Sequence, residues 1–545
     1  MTNDDIDLVR DIRADHEAMK QERYAFEQQW NEVIDIMLPR FRRFGEQHQT
    51  PGEKRTQKIF DATPGLAHRH LAAAMESIVS PRTQRYQRLK LFNDASERQA
   101  TKLYLDEVTG LLFAHRYRWR AGFTTQIGEY YATQAAFGSG GLMIEDGGSA
   151  RNPVRYRHIR LANLLYAEDA GGIVDKAHMM WCLTARQAAQ RWGRDRLPIS
   201  IQNVLERAPE TKFDFIHAVR PRRDRDTRKV DGRNMAVQSV WLYGNEIVEH
   251  GGFRTFPVAV GRLASADGSQ YAYSPAMDAL PDIQTLNQME RTNLRGAQKM
   301  VDPPLLLSED GVLDGFNLQS GALNYGGLND QGTEMVRPLN LGKNVPLGID
   351  YANQKRESVN LAFYVSLFQI LVDNPQMTAT EVLQRQQEKG FLLAPTMGRN
   401  QAETLGPMTE RELDILGNYG LLPDMPDELR QQDGEVEIEY DSPLNRAMRS
   451  EDVVNTQRWL ELITPLAQVD PKVLTVMNAP AIARGIADVM GVPQTYLNSE
   501  DDAQAQSDAQ DAQAQAAQLL EAAPVAASSA KDLSATVSNL QNAPL

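Results

Sequence analysis

His68 and His70 are the closest pair of imidazoles in the chain, and neighbouring histidines are the first place to look for a metal ion or a general base. Two residues apart on a helix, the two rings do not face one another, and no HExxH spacing accompanies them. All nine histidines fall before residue 251, so the C-terminal half holds no imidazole. The stretch "GSGGLMIEDGG" (138–148) has the glycines of a phosphate loop but neither the Lys-Ser/Thr pair of a Walker A motif nor Rossmann spacing. It reads as a glycine turn entering a strand. The acidic "SEDDAQAQSDAQD" (499–511) lacks the central glycine and closing glutamate of a calcium loop and reads as a solvated tail. In "VRPRRDRDTRKVDGR" (219–233) the arginines are interleaved with aspartates, which favours a solvated hairpin tip over a DNA-binding arm. No GxSxG elbow with a triad is present. No catalytic residue, cofactor or metal site is expected.

The spacing that does carry information is architectural. Thr378 and Glu381 stand three residues apart, as in a capping box, where hydroxyl and carboxylate each satisfy an orphan amide. Just before them, the apolar run "LAFYVSLFQILV" (361–372) stops at Asp373-Asn374-Pro375. An apolar helix, a polar loop and a hydrophilic helix therefore follow one another within a few residues.

The totals set bounds on function. With 545 residues there is room for several domains. A formal charge of −14 excludes a protein that grips nucleic acid over its whole surface, though not one that touches it in passing. A single cysteine, Cys182, excludes an internal disulfide framework, which fits synthesis in a reducing cytoplasm. The acidic N-terminus has no apolar h-region of a signal peptide. The longest apolar run is well short of the roughly 20 residues of a membrane span, so no membrane association is expected.

Around these motifs, periodicity predicts a mainly helical α+β chain. Met19, Phe26, Trp30, Val33 and Met37 mark one side of a helix over 4–38, ended by Pro39. Further helices are expected in "IFDATPGLAHRHLAAAMESIVSP" (59–81), closed by Pro81, and at about 95–115 and 121–137, with a short strand at "YQRLKLF". A β-rich middle third follows, with a two-residue hairpin turn at Gly244-Asn245. Ser274-Pro275 opens a helix reaching "VDPP". After an excursion over 302–348, a second helix is expected at about 349–372, and "VEIEY" (436–440) alternates as a strand.

In order and spacing, "RYAFEQQWNEVIDIMLPR", "IFDATPGLAHRHLAAAMESIVSP", "QAAFGSGGLMIEDG", "FPVAVGRLASADGSQYAYSPAMDALPDIQTLNQ", "DNPQMTATEVLQRQQEK" and "IARGIADVMGVP" resemble the portal (head-to-tail connector) proteins of tailed bacteriophages, short-tailed type. The likeness runs from about residue 20 to 500. Tyr86 stands where the family usually has tryptophan, and Ala272 where it often has glycine. The resemblance implies a portal-type ring subunit with wing, stem, clip and crown regions, and a ring of twelve copies at one capsid vertex. Residues 1–273 then resemble the wing, 274–301 and 349–372 the paired stem helices, and 302–348 the clip. The loop 373–378 resembles the channel loop, 379–444 the wing-crossing helix and return strand, and 445–545 the crown with its Ala/Gln/Asp-rich tail.

That likeness also implies partners: double-stranded DNA through the centre, terminase, major capsid and scaffolding proteins, and a tail adaptor. Asp373, Asn374, Gln376, Met377 and Thr378 would face the DNA, with Glu381 completing the cap and Lys355 and Arg356 as candidate channel cations. An acidic conduit suits passage. Over a helix of about 30 Å, duplex DNA presents on the order of 18 phosphates. Proteins neutralising only about 6–10 phosphates already bind with strong salt dependence, so a wall pairing most of them would stall the DNA. The competing readings are another phage assembly protein, such as a scaffold or tail component, and an enzyme with an unusual site.

Overall fold

The computed structural model describes residues 3–302 except 47–51, 83, 92–98, 227, 229–230, 233 and 267, then 305–307, 336–338, 345–365, 398–431, 436–440, 443–469 and 476–490, with isolated residues elsewhere. The chain divides into two compact units. The first comprises Met1–Tyr86, Leu111–Leu422 and Tyr440–Met448; the second comprises Gln87–Gly110, Pro423–Glu439 and Arg449–Leu545.

The first unit is built on α1 (Asn3–Met37), α2 (Thr63–Val79) and α4 (Phe123–Phe137). The stripe expected on α1 is the buried one: Met19, Trp30, Val33 and Met37 all face the core. Trp30 is its centre, with ring centroids 4.9 Å from Phe44, 5.5 Å from Tyr271 and 6.1 Å from Phe137. Tyr271 in turn lies 4.6 Å from Tyr166. Aromatic pairs at these separations add about 0.5–1.5 kcal/mol each beyond burial of their area.

Two antiparallel sheets follow α4. In the three-stranded one, β2 (Ser139–Ser149) runs between β3 (Asn152–Ile159) and β9 (Val258–Arg262). Gly138, closing α4, has φ +80°, and a Cβ there would lie 2.5 Å from the Ala272 carbonyl oxygen. Glycine is required twice over at that position. The buried Ala272, for its part, donates its amide to Ser139 Oγ at 3.2 Å.

The second sheet is a meander of β4 (Leu164–Glu168), β5 (Val174–Thr184), β6 (Lys212–Pro221), β7 (Val237–Tyr243) and β8 (Glu246–Phe253). Gly244-Asn245 is the β7–β8 loop, with Gly244 at φ +58°. The arginine-rich run expected at a hairpin tip does begin at the end of β6 and lead to β7. One face of this sheet buries Ala218, Val240 and Leu242 against Val9 and Ile12 of α1. The other packs Phe215, Trp241 and Val248 beneath α5 (Ala185–Trp192) and α6 (Ile199–Arg207). Thr184 and Gln187 form a reciprocal capping box at the start of α5.

In the second unit, β1 (Gln87–Leu91) pairs with the strand Val436–Tyr440, and Arg88 bonds Glu439 at 2.6 Å. Thr109, on α3 (Gln99–Arg116), accepts from the Leu89 amide at 3.2 Å. Residues Pro443–Val469 and Ala479–Met490 are helical.

Candidate functional site

Ser274 starts the helical pair. Its hydroxyl accepts from the Met277 amide at 3.2 Å and donates to the Ala136 carbonyl at 2.8 Å, and Pro275 follows at N1. The short α7 (Pro275–Asp278) leads into α8 (Leu280–Val301). Beside α8 lies α9 (Val345–Ala362). The second helix, expected from about 349, thus begins at Val345 and is interrupted after Ala362, where Tyr364 takes φ +57°. Bulky residues adopt that conformation only under constraint.

The two helices run antiparallel: Asp282 reaches Lys355 near one end, while Asn293 meets Gly348 further along. A Cβ on Gly348 would lie 2.4 Å from Asn293 Oδ1, so the glycine permits close approach. Lys355 Nζ sits 2.8 Å from Asp282 Oδ1, and that hydrogen bond raises the lysine's pKa. Arg356 donates to Asp61 at 2.8 Å, to Glu290 at 2.7 Å and to Asn353 at 2.7 Å. The Asn287 amide clamps the N-terminal loop, accepting from Phe60 N at 2.7 Å and donating to Lys58 O at 2.8 Å.

The first half of α8 is therefore anchored: Leu280, Ile283 and Leu286 are buried. Its second half is not. Leu294, Met300 and Val301 are exposed, as are Leu347, Ile349 and Tyr351 on the facing end of α9. Apolar side chains bare on two neighbouring helices form a surface that another molecule can cover.

Of the candidate channel cations, the structure places both Lys355 and Arg356 in ion pairs within the subunit. Asp373, Asn374, Gln376, Met377, Thr378 and Glu381 lie outside the described residues. Three cations escaped the sequence reading. Arg291, Arg295 and Lys299 recur every four residues, so they share one side of α8. None has an ion-pair partner among the described residues, and Arg291 instead lies 5.7 Å from the Phe60 ring. The signal was legible in "RTNLRGAQK" as an i, i+4, i+8 row.

Elsewhere, titratable groups serve packing. His68 is buried against the Ala132 carbonyl at 2.7 Å, and burial lowers its pKa. Arg116, at the end of α3, pairs with Glu412 at 2.6 Å, and Tyr86 accepts a second guanidinium bond at 2.7 Å. Burial works against the arginine's charge, but Glu412 overrides it and holds Arg116 well above its ordinary range. Tyr86 is fully buried beside them, so its hydroxyl has a use that an indole could not supply in the same way. Among the described residues no group of three or more His, Cys, Asp or Glu could hold a metal, and no helix is long and apolar enough to cross a membrane.

Among the described residues, then, the helical pair is anchored at one end and bare at the other, on a mixed α/β body. The family model described as "Bacteriophage head to tail connecting protein" matches residues 9–497, and the chain belongs to that family. Its relatives are portal proteins. A probable portal protein of Bordetella phage BPP-1 is 30% identical over 491 residues, covering 87% of this chain and 86% of its own. The portal protein of Salmonella phage epsilon15 is 25% identical over 528 residues, covering 95% and 94%. Among solved structures, a chain from the virion of a native gene transfer agent particle matches at TM-score 0.36 and 11% identity, over 77% of this chain and 92% of that one. The role of this chain is that of a portal at the capsid vertex. Portal proteins form ring oligomers at the head–tail connection and are components of the virion.

Proposed function

We propose that this chain assembles as a ring of twelve around an axial passage for double-stranded DNA, serving genome packaging, retention and ejection. The observation that carries this reading is the bare far end of the α8–α9 pair, with Val301 87% and Leu347 71% exposed. Such a pair has no covering partner within the described subunit, and copies set side by side would supply one. In this reading 1–273 is the wing, the α8–α9 pair the stem, 302–348 the clip, 373–378 the channel loop and 445–545 the crown. Asp373, Asn374, Gln376, Met377 and Thr378 touch the DNA transiently.

The cationic contribution to the passage then comes from Arg295 and Lys299 rather than from Lys355 and Arg356, whose charges are already compensated. Two cations per subunit is a sparse coat for DNA carrying one phosphate per roughly 1.7 Å. That sparseness suits sliding better than holding. The function is structural: the ATPase that drives packaging is a separate protein, the terminase, which docks on 302–348, as the tail adaptor does later. Major capsid and scaffolding proteins surround the ring, which is made in the host cytoplasm.

Electron microscopy of the purified chain tests this. The expected result is a ring with a central hole, lost or weakened in Leu294→Asp/Ile349→Asp while the subunit stays folded by circular dichroism. A folded wild-type chain that stays monomeric at micromolar concentration would overturn the reading.

A further inference from the structure

The turn between α3 and α4 carries a second surface, "RYRWRAG" (116–122). Trp119 is 84% exposed, more than any other described aromatic residue. The Arg120 guanidinium lies 4.8 Å from its ring centroid. Arg118 donates to the carbonyl of Arg151, at the tip of the β2–β3 hairpin. The turn is fixed by other groups: the Ala121 amide bonds the Arg118 carbonyl at 3.0 Å, and the Tyr156 amide bonds the Ala121 carbonyl at 2.8 Å. Inward-facing Tyr117 meanwhile packs against Phe113 and Phe123.

The indole is thus not left over from the core. It is held out, with one arginine already against its face, on a turn that needs no side chain there to fold. Arg118, Arg120, Arg151 and Arg155 have no ion-pair partner among the described residues, in a chain whose net charge is −14. Tryptophan and arginine are the side chains enriched at the centres of protein–protein interfaces. Duplex phosphates would use the guanidiniums but leave the indole with nothing to bury it. The chemistry therefore favours a protein face that is acidic with an apolar centre.

We propose that the Arg118–Trp119–Arg120 turn docks on an acidic face of a second copy of this chain. Head-to-tail rings use two different patches per subunit, one complementary to the other. This inference rests on the ring reading above. It adds a contact away from the paired helices, and the excess negative charge of every copy supplies the complementary sign.

The test uses the full chain. Trp119→Ala and Arg118→Glu/Arg120→Glu are compared with wild type by native mass spectrometry and mass photometry. Circular dichroism and thermal unfolding serve as controls. At a fixed micromolar concentration the ring fraction is expected to fall at least tenfold with the subunit fold unchanged. As a measurement independent of variant stability, p-benzoylphenylalanine placed at position 119 is expected to cross-link one copy to an acidic stretch of another. Wild-type ring levels in both variants, or no cross-link between copies in assembled rings, overturns the contact while leaving the ring reading intact. Variants that keep their rings but lose DNA retention overturn it in favour of a nucleic-acid surface. A wild type that never forms rings overturns both.

Discussion

The Trp30 core and the α8–α9 pair are held together by opposite means. Around Trp30, aromatic rings close on one another, and elsewhere in the same unit Arg116 and Glu412 form an ion pair that is buried and fully engaged. Along α8 and α9, Lys355 and Arg356 pair at the surface, while apolar side chains beyond them stand in solvent. The first region is complete within one subunit. The second has the composition of an interface core without its other half. A chain that builds both separates the task of folding from the task of assembling.

The sharpest way to break this comparison is to remove one partner of the buried pair. Glu412 accepts two bonds from Arg116, at 3.0 and 2.6 Å, and one from the Tyr156 hydroxyl. Glu412→Ala leaves a buried guanidinium uncompensated, and such losses cost about 3–5 kcal/mol. We expect a large fall in thermal midpoint, with ring assembly lost only as a consequence of unfolding. A loss below about 1 kcal/mol would mean that the region is not closed in the way described.

How much of this was legible in the sequence differs between the two regions for the same reason. The α1 stripe and the Gly244-Asn245 turn are local patterns, and periodicity reads them directly. The ion lock joins Arg116 to Tyr86 and Glu412, residues 30 and 296 positions away, and no local pattern encodes it. Strands β4 and β5 were not expected, because "LLYAE" is short and "VDKAHMMWCLT" buries residues of both parities, which erases alternation. On the paired helices, Lys355 and Arg356 were legible as cations. Their neutralisation by Asp282, Asp61 and Glu290 was not, since it depends on which side of each helix meets the other.

Acid separates the regions next. His16 on α1 stacks on His178 of β5 at 5.7 Å, and neither ring nitrogen of His178 has a hydrogen-bond partner. Burial lowers His178 to about 3 and His16 to about 4, with Lys176 and Arg220 adding to it for His178 and Asp15 opposing. Both are neutral when folded, whereas in the unfolded chain they take up protons near 6.5. The unfolded state then binds more protons, so stability is full above about pH 6.5 and declines as pH falls towards 4. In His178→Leu the decline of thermal midpoint between pH 6.5 and 4 is expected to be shallower. An unchanged slope would remove this pair from the acid response. The paired helices contain no histidine and cannot share in that step.

The smallest effect is expected where charge is most visible. Lys355 and Asp282 are 23% and 39% exposed, and ion pairs of that kind contribute about 0–1 kcal/mol. Lys355→Met keeps an unbranched apolar stem beside Tyr351, whose ring centroid lies 5.8 Å from the ammonium, and leaves Asp282 to water. The thermal midpoint is therefore expected to move by less than about 4 °C, and ring yield to stay at the wild-type level. Set beside Glu412→Ala, this substitution removes a similar ion pair at a fraction of the cost, because solvent replaces the lost partner. A drop as large as that of the buried lock would show that Lys355 is desolvated in the assembled state. The α8–α9 pair would then be a closed core in its own right, and the contrast between a folding region and an assembling one would not survive.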